Sequence, residues 1–107
     1  MNYASIEPAR DAVDTLPGAT LIEFGSPTCG WCRAAQPVIA DALSAHPRVR
    51  HLKIADGPGR RLGRSFAVKL WPTLIYFKDG AEVGRSVRPG GVNEIRAGLA
   101  QIDPVGT

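Results

Sequence analysis

Cys29 and Cys32 are the two cysteines of this 107-residue chain, and only Gly30 and Trp31 separate them. Two thiols at that spacing can close a disulfide between themselves or open it again as a dithiol. The preceding residues, 20–26, read Thr-Leu-Ile-Glu-Phe-Gly-Ser and look like a buried strand, whereas residues 33–43 carry apolar side chains at helical spacing. A strand-to-helix junction puts the first thiol at a helix N-terminus, where unpaired N–H groups and the macrodipole favour a thiolate. Cys29 is therefore the expected nucleophile toward a disulfide. Cys32, further into the helix and more buried, is expected to resolve the mixed disulfide that results. Free cysteines are often inert core residues, but this spacing at this junction argues for chemistry.

Glu23 is the second residue of interest. It interrupts an otherwise apolar strand between Ile22 and Phe24. A carboxyl there should be partly desolvated, which raises its pKa. Alternatively it reaches solvent or pairs with His51 or Lys53, which share a face of the next strand. Trp31 and Trp71 add flat apolar surfaces with one donor each, suited to docking a partner or to packing. A metal is not expected. Two cysteines fall short of the four ligands of a structural zinc site, and His46 and His51 sit at a helix end and in a strand rather than on one helix face. Two cysteines also exclude a multi-bridge disulfide scaffold.

The chain is 44% hydrophobic and 21% charged, the balance of one globular domain spanning 1–107. No apolar run approaches the roughly 18 residues of a membrane span. The first ten residues lack a basic start followed by an apolar stretch, so a cytoplasmic setting is expected rather than secretion. The net charge is +3, with Arg48, Arg50, Lys53, Arg60, Arg61 and Arg64 in mid-chain. Without interleaved aromatics or a nucleic-acid motif, these residues read as a solvated face and not a nucleic-acid site.

The elements that position the thiols follow from periodicity and breakers. Residues 1–7 suggest a short extended segment. Residues 8–16 suggest a helix, with Ala9, Ala12, Val13 and Leu16 on one face and Pro17-Gly18 ending it. The helix after the cysteines contains Pro37, which removes a backbone donor. Residues 49–54 alternate as a strand, and residues 60–66 form a short helix with Leu62 and Phe66 inward. Residues 73–78 and 81–87 form a hairpin around Asp79-Gly80. A last helix covers 92–102, with Val92, Ile95, Leu99 and Ile102 on one face. Strands alternating with helices and then a hairpin imply an α/β fold, with a mixed sheet of four to five strands and helices on both faces.

Taken in order, these features resemble the thioredoxin family over nearly the whole length. The match runs from Leu21-Ile-Glu-Phe24 through Cys29-x-x-Cys32 and Pro37 to Trp71-Pro72-Thr73, an apolar strand and a Lys-Asp-Gly turn. The resemblance implies a thioredoxin fold and a protein-disulfide reductase that needs no cofactor. It also implies a cis bond before Pro72, with Trp71, Pro72 and Thr73 lining the substrate site and an outward-facing Trp31. Thioredoxins place an aspartate where Glu23 stands, which implies proton transfer with Cys32. Arg33 and Arg88 could add positive charge nearby. Partners would be protein disulfides and a thioredoxin reductase or small-thiol reductant, with the chain acting as a monomer away from membranes. The chain departs from the family at Thr28, where tryptophan is usual, at Trp31, where proline is usual, and at Val87-Arg88-Pro89, where a glycine is usual. A glutathione-linked glutaredoxin-like enzyme and a redox-sensing binding module are the alternative readings.

Overall fold

Alternation along the central strands decides the layers. The computed structural model describes residues 3–104. Strand β1 (Ala19–Gly25) pairs in parallel with β2 (Arg50–Ala55) and antiparallel with β3 (Thr73–Lys78), and β3 pairs antiparallel with β4 (Ala81–Val87). The order is β2-β1-β3-β4. Four helices accompany them: α1 (Arg10–Asp14), α2 (Gly30–Leu43), α3 (Arg61–Ser65) and α4 (Val92–Ile102).

Because side chains point to opposite faces with period two, neighbours in a strand enter different cores. Leu21, Leu74 and Tyr76 pack with Ile39 and Ala42 of α2 and with Ile95, Leu99 and Ile102 of α4. Ile22, Phe24, Ile54, Ile75 and Phe77 pack on the other side with Val13 of α1, Leu62 of α3 and Phe66. Each such fully buried side chain contributes about 1.5–3 kcal/mol relative to an exposed one. Glu23 has the parity of Leu21, so it points at α2, the helix that carries the cysteines.

The structure revises two expectations about the first residues. The first helix covers Arg10–Asp14 and not residues 8–16. Of its expected apolar face only Val13 is buried, Leu16 is half-buried, and Ala9 and Ala12 are exposed. One anchor, with no side-chain cap at Ala9, holds little more than a single turn. The extended N-terminal segment is reduced, among the described residues, to a bridge between Ala4 and Ile54, so the sheet has four strands there. Residues 1 and 2 of that expectation lie outside the described residues.

The N-terminal segment is nevertheless tied down. Ala4 N donates to the Lys53 carbonyl at 2.8 Å. Glu7 Oε1 accepts from the amides of Arg61 and Leu62 at 2.9 and 3.2 Å, capping α3, whose own N-cap residue supplies no side-chain bond. Arg60 donates to the carbonyls of Ala55 and Ser5. Helix α2 starts at Gly30 with Cys29 as its N-cap, as the strand-to-helix junction implied, so both cysteines belong to its first turn and cap.

Candidate functional site

Cys29 is the N-cap of α2, in extended conformation, and its Sγ accepts the Cys32 amide at 3.1 Å. An N–H aimed at a sulfur is best matched by negative charge on that sulfur. Ser26 shapes the turn before it: the Ser26 carbonyl accepts the Cys29 amide at 3.1 Å, and its hydroxyl accepts the Thr28 amide at 3.3 Å. Both thiols are free. Cys29 is half-buried and Cys32 fully buried, the difference expected of attacking and resolving thiols.

The Trp71–Pro72 bond is cis, as the resemblance implied. The Trp71 carbonyl lies 3.9 Å from Cys29 Sγ. Arg88 takes part as well: its Nε donates to that same carbonyl at 2.8 Å, and its guanidinium sits 4.9 Å from the centre of the Trp31 ring. The Arg88 backbone is left-handed at φ +48°, a conformation suited to glycine. Trp31 is 61% exposed. It lines a shallow groove with Ala34, Val38, Pro72 and Arg88. Trp71 is half-buried, its indole donating to Asp56 Oδ2 at 2.9 Å. Thr73 is buried, and its hydroxyl donates to the Leu70 carbonyl at 2.6 Å, so its side chain braces the loop. Arg33 is exposed on α2.

Behind the thiols lies a buried polar network. Glu23 is fully buried; Oε1 is 2.9 Å from His51 Nε2, and Oε2 accepts from Gln36 Nε2 at 2.7 Å and from the Tyr3 hydroxyl at 3.3 Å. Gln36 also donates to the Cys32 carbonyl at 2.9 Å and accepts from Lys53 Nζ at 2.8 Å. The expectation of a raised Glu23 pKa is overturned. Burial, the largest single influence, pushes it up, but hydrogen bonds from His51 and Gln36 and the charges of His51 and Lys53 together bring it below the ordinary carboxyl value. Glu23 is therefore a carboxylate across the neutral range.

Cys32 is the opposite case. Burial pushes its thiol up to about 11, reinforced by hydrogen bonding and charge from Cys29, while a hydrogen bond from the Ser26 backbone pulls it the other way. At neutral pH it is a thiol and must lose a proton before it can attack.

Sequence reasoning missed Gln36 and Tyr3. Gln36 carries a faint signal, since it stands one turn after Cys32 on the same helix face. Tyr3 carries none, because only the bridge from Ala4 to β2 brings it to the site. His46, the other histidine, is engaged elsewhere, 2.9 Å from Asp103.

A half-exposed thiol capping a helix, a buried partner thiol one turn on and a cis-proline carbonyl beside the pair define a thiol–disulfide oxidoreductase on a mixed α/β sheet. The thioredoxin family model matches residues 9–101. The chain is 40% identical over 70 residues to a thioredoxin of Chlamydia trachomatis, covering 65% of this chain and 69% of that protein. It is 41% identical over 66 residues to human protein disulfide-isomerase A2, covering 58% of this chain and 13% of that protein. Its structure resembles reduced thioredoxin 2 from Pseudomonas aeruginosa PAO1, with a TM-score of 0.88, 51% identity, and 99% and 98% of the two chains covered. The chain belongs to the thioredoxin family. It is a protein-disulfide reductase acting through Cys29 and Cys32, and neither the glutathione-linked nor the binding-only reading is favoured.

Proposed function

We propose a two-step exchange in which Cys29 attacks, Cys32 resolves and Glu23 accepts the Cys32 proton. The Cys29 thiolate displaces one sulfur of a substrate disulfide and forms a mixed disulfide. Cys32, once deprotonated, attacks Cys29 Sγ, closes the Cys29–Cys32 disulfide and releases the second substrate thiolate. The observation that carries this reading is the contrast between a half-exposed Cys29 with an amide aimed at its sulfur and a fully buried Cys32 held as a thiol. Forming the mixed disulfide removes the Cys29 charge that opposes Cys32 ionisation, so proton loss becomes easier at the step that needs it.

The sign of the Glu23 shift gives a pH test. A carboxyl with a raised pKa would lose acceptor capacity as pH falls from neutral. A depressed one keeps it until pH drops below the ordinary carboxyl value near 4.3. The resolving step in the wild type is therefore expected to retain its carboxylate assistance down to that range. Glu23→Gln, nearly isosteric, should slow resolution on the order of 10- to 100-fold at neutral pH. Stopped-flow kinetics read this directly, and an unchanged rate profile would remove Glu23 from the mechanism.

An extended substrate segment fits beside the Trp71 backbone as a short added strand, flanked by Trp31 and Pro72, while Thr73, expected to line the site, is buried and braces the loop instead. Arg88 occupies the Trp71 carbonyl and would share or vacate it. Trp31→Ala is expected to lower kcat/KM for a protein disulfide about tenfold, or ~1.4 kcal/mol. Reduction of a small aromatic disulfide should change less than about twofold, because it needs only Cys29 access. Equal losses on both substrates would argue against Trp31 as a docking surface.

The remaining features of this reading are a monomeric single domain, electrons from a thioredoxin reductase or small thiol, and the reducing direction expected of a cytoplasmic setting. Among the described residues, no helix is long and apolar enough to cross a membrane.

A further inference from the structure

Glu23 and Cys32 are the two ends of the proposed proton transfer, yet among the described residues the carboxylate bonds to His51, Gln36 and Tyr3 and makes no hydrogen bond to the Cys32 thiol. The Tyr3 hydroxyl is 3.3 Å from Glu23 Oε2. It also neighbours the thiol: a methyl group built on Gly25 would lie 2.7 Å from the Tyr3 oxygen and 2.8 Å from Cys32 Sγ, so both atoms crowd one point above the end of β1. Glycine at 25 is what permits that approach. The ring is held from the other side by Lys53, whose Nζ lies 4.8 Å from its centre, and by the bridge from Ala4 to β2.

We propose that Tyr3 is the proton relay between Cys32 and Glu23, a catalytic residue of the resolving step. The proposal rests on the assignment of Glu23 as proton acceptor. In the step, the Cys32 S–H bond breaks and its proton binds the Tyr3 oxygen, while the Tyr3 O–H proton passes to Glu23 Oε2. Cys32 becomes a thiolate, Glu23 a carboxylic acid, and Tyr3 is unchanged. The thiolate then displaces the substrate thiolate from Cys29. No tyrosinate forms, which suits a phenol whose ionisation is disfavoured by burial and by the charges of Glu23 and Cys32. Among the described residues, the ionisable groups around the relay are Glu23 from β1, His51 and Lys53 from β2, Cys32 from α2 and Cys29 from its cap. His51 and Lys53 keep the acceptor ionised, so the relay operates at neutral pH.

The test uses single-turnover reaction of the reduced protein with one equivalent of an aromatic disulfide. Its first thiolate release reports Cys29 attack, and its second reports Cys32 resolution. Tyr3→Phe keeps the ring and its packing and deletes only the hydroxyl. The relay requires the second phase to slow about tenfold at neutral pH, with the first phase within about twofold of wild type. It also requires the Tyr3→Phe/Glu23→Gln double variant to be no slower than the slower single variant, since two links of one chain are not additive. A wild-type second phase in Tyr3→Phe beside a slow one in Glu23→Gln overturns the relay and leaves Glu23 in place. An unchanged second phase in Glu23→Gln removes the acceptor, and the relay with it. Multiplying effects in the double variant overturn the relay by showing that Tyr3 acts apart from Glu23.

Discussion

Cys29→Ser is expected to lose disulfide reduction almost entirely, by on the order of 10³-fold or more in kcat/KM. The step at stake is bond formation to the attacking sulfur, and a serine hydroxyl at the same cap is ionised far less readily than a thiol. No neighbour can take over. Cys32, the second cysteine of the chain, is fully buried and held as a thiol. The complementary change, Cys32→Ser, should leave the first attack intact and trap the substrate on Cys29 as a stable mixed disulfide. Insulin reduction followed by turbidity reads the first variant, and mass spectrometry of the adduct reads the second. Substantial turnover by Cys29→Ser would reassign the nucleophile. Failure of Cys32→Ser to accumulate an adduct would remove Cys32 as the resolving thiol.

Gly98→Ala is expected to destabilise the fold although it lies outside the site. An exposed helix glycine replaced by alanine ordinarily gains about 0.8–1 kcal/mol from propensity. At Gly98 the new methyl group would overlap the Tyr76 ring, which packs directly on the α4 backbone. The ring has nowhere to go, being buried between β3 and α4, and its hydroxyl shares a 2.9 Å hydrogen bond with Ser86. Swinging it aside would leave two buried hydroxyls unpaired, at about 1–3 kcal/mol each. Shifting α4 instead would open the core formed by Ile95, Leu99 and Ile102. Overpacking of about 1–3 kcal/mol therefore outweighs the propensity gain. At about 4–8 °C per kcal/mol for a domain near this size, the midpoint of thermal unfolding should fall by several degrees. A rise in that midpoint would show that the helix has room to move.

Much of the fold is readable along the chain because strands and helices impose different periods. The hairpin strands 73–78 and 81–87 and the helix 92–102 coincide with their expected bounds. The first helix was overextended because proline and alanine spacing resembles a helical turn, whereas its actual length depends on how many residues find a core, and only Val13 does. The start of α2 at the cysteines, which the strand-to-helix junction implied, is held by a cap made by sulfur. Cys29 Sγ accepts an amide much as a serine oxygen would, a substitution that apolar spacing does not register.

The sequence by itself determined the dithiol. Two residues between the cysteines and a strand-to-helix junction are local facts, and helix geometry turns them into a capping thiol and a buried partner wherever the domain folds. Only the tertiary structure decided the ionisation of Glu23. Whether a buried carboxyl is raised or lowered depends on the balance between burial and its partners, and those of Glu23 come from three other segments: His51 and Lys53 on β2, Gln36 on α2, and Tyr3 near the N-terminus. Burial alone predicted a raised pKa; the assembled partners reverse it. The same holds for Arg88, which reaches the Trp71 carbonyl from 17 residues away. Covalent spacing is carried by the chain itself, whereas electrostatic balance exists only once distant segments share one buried site.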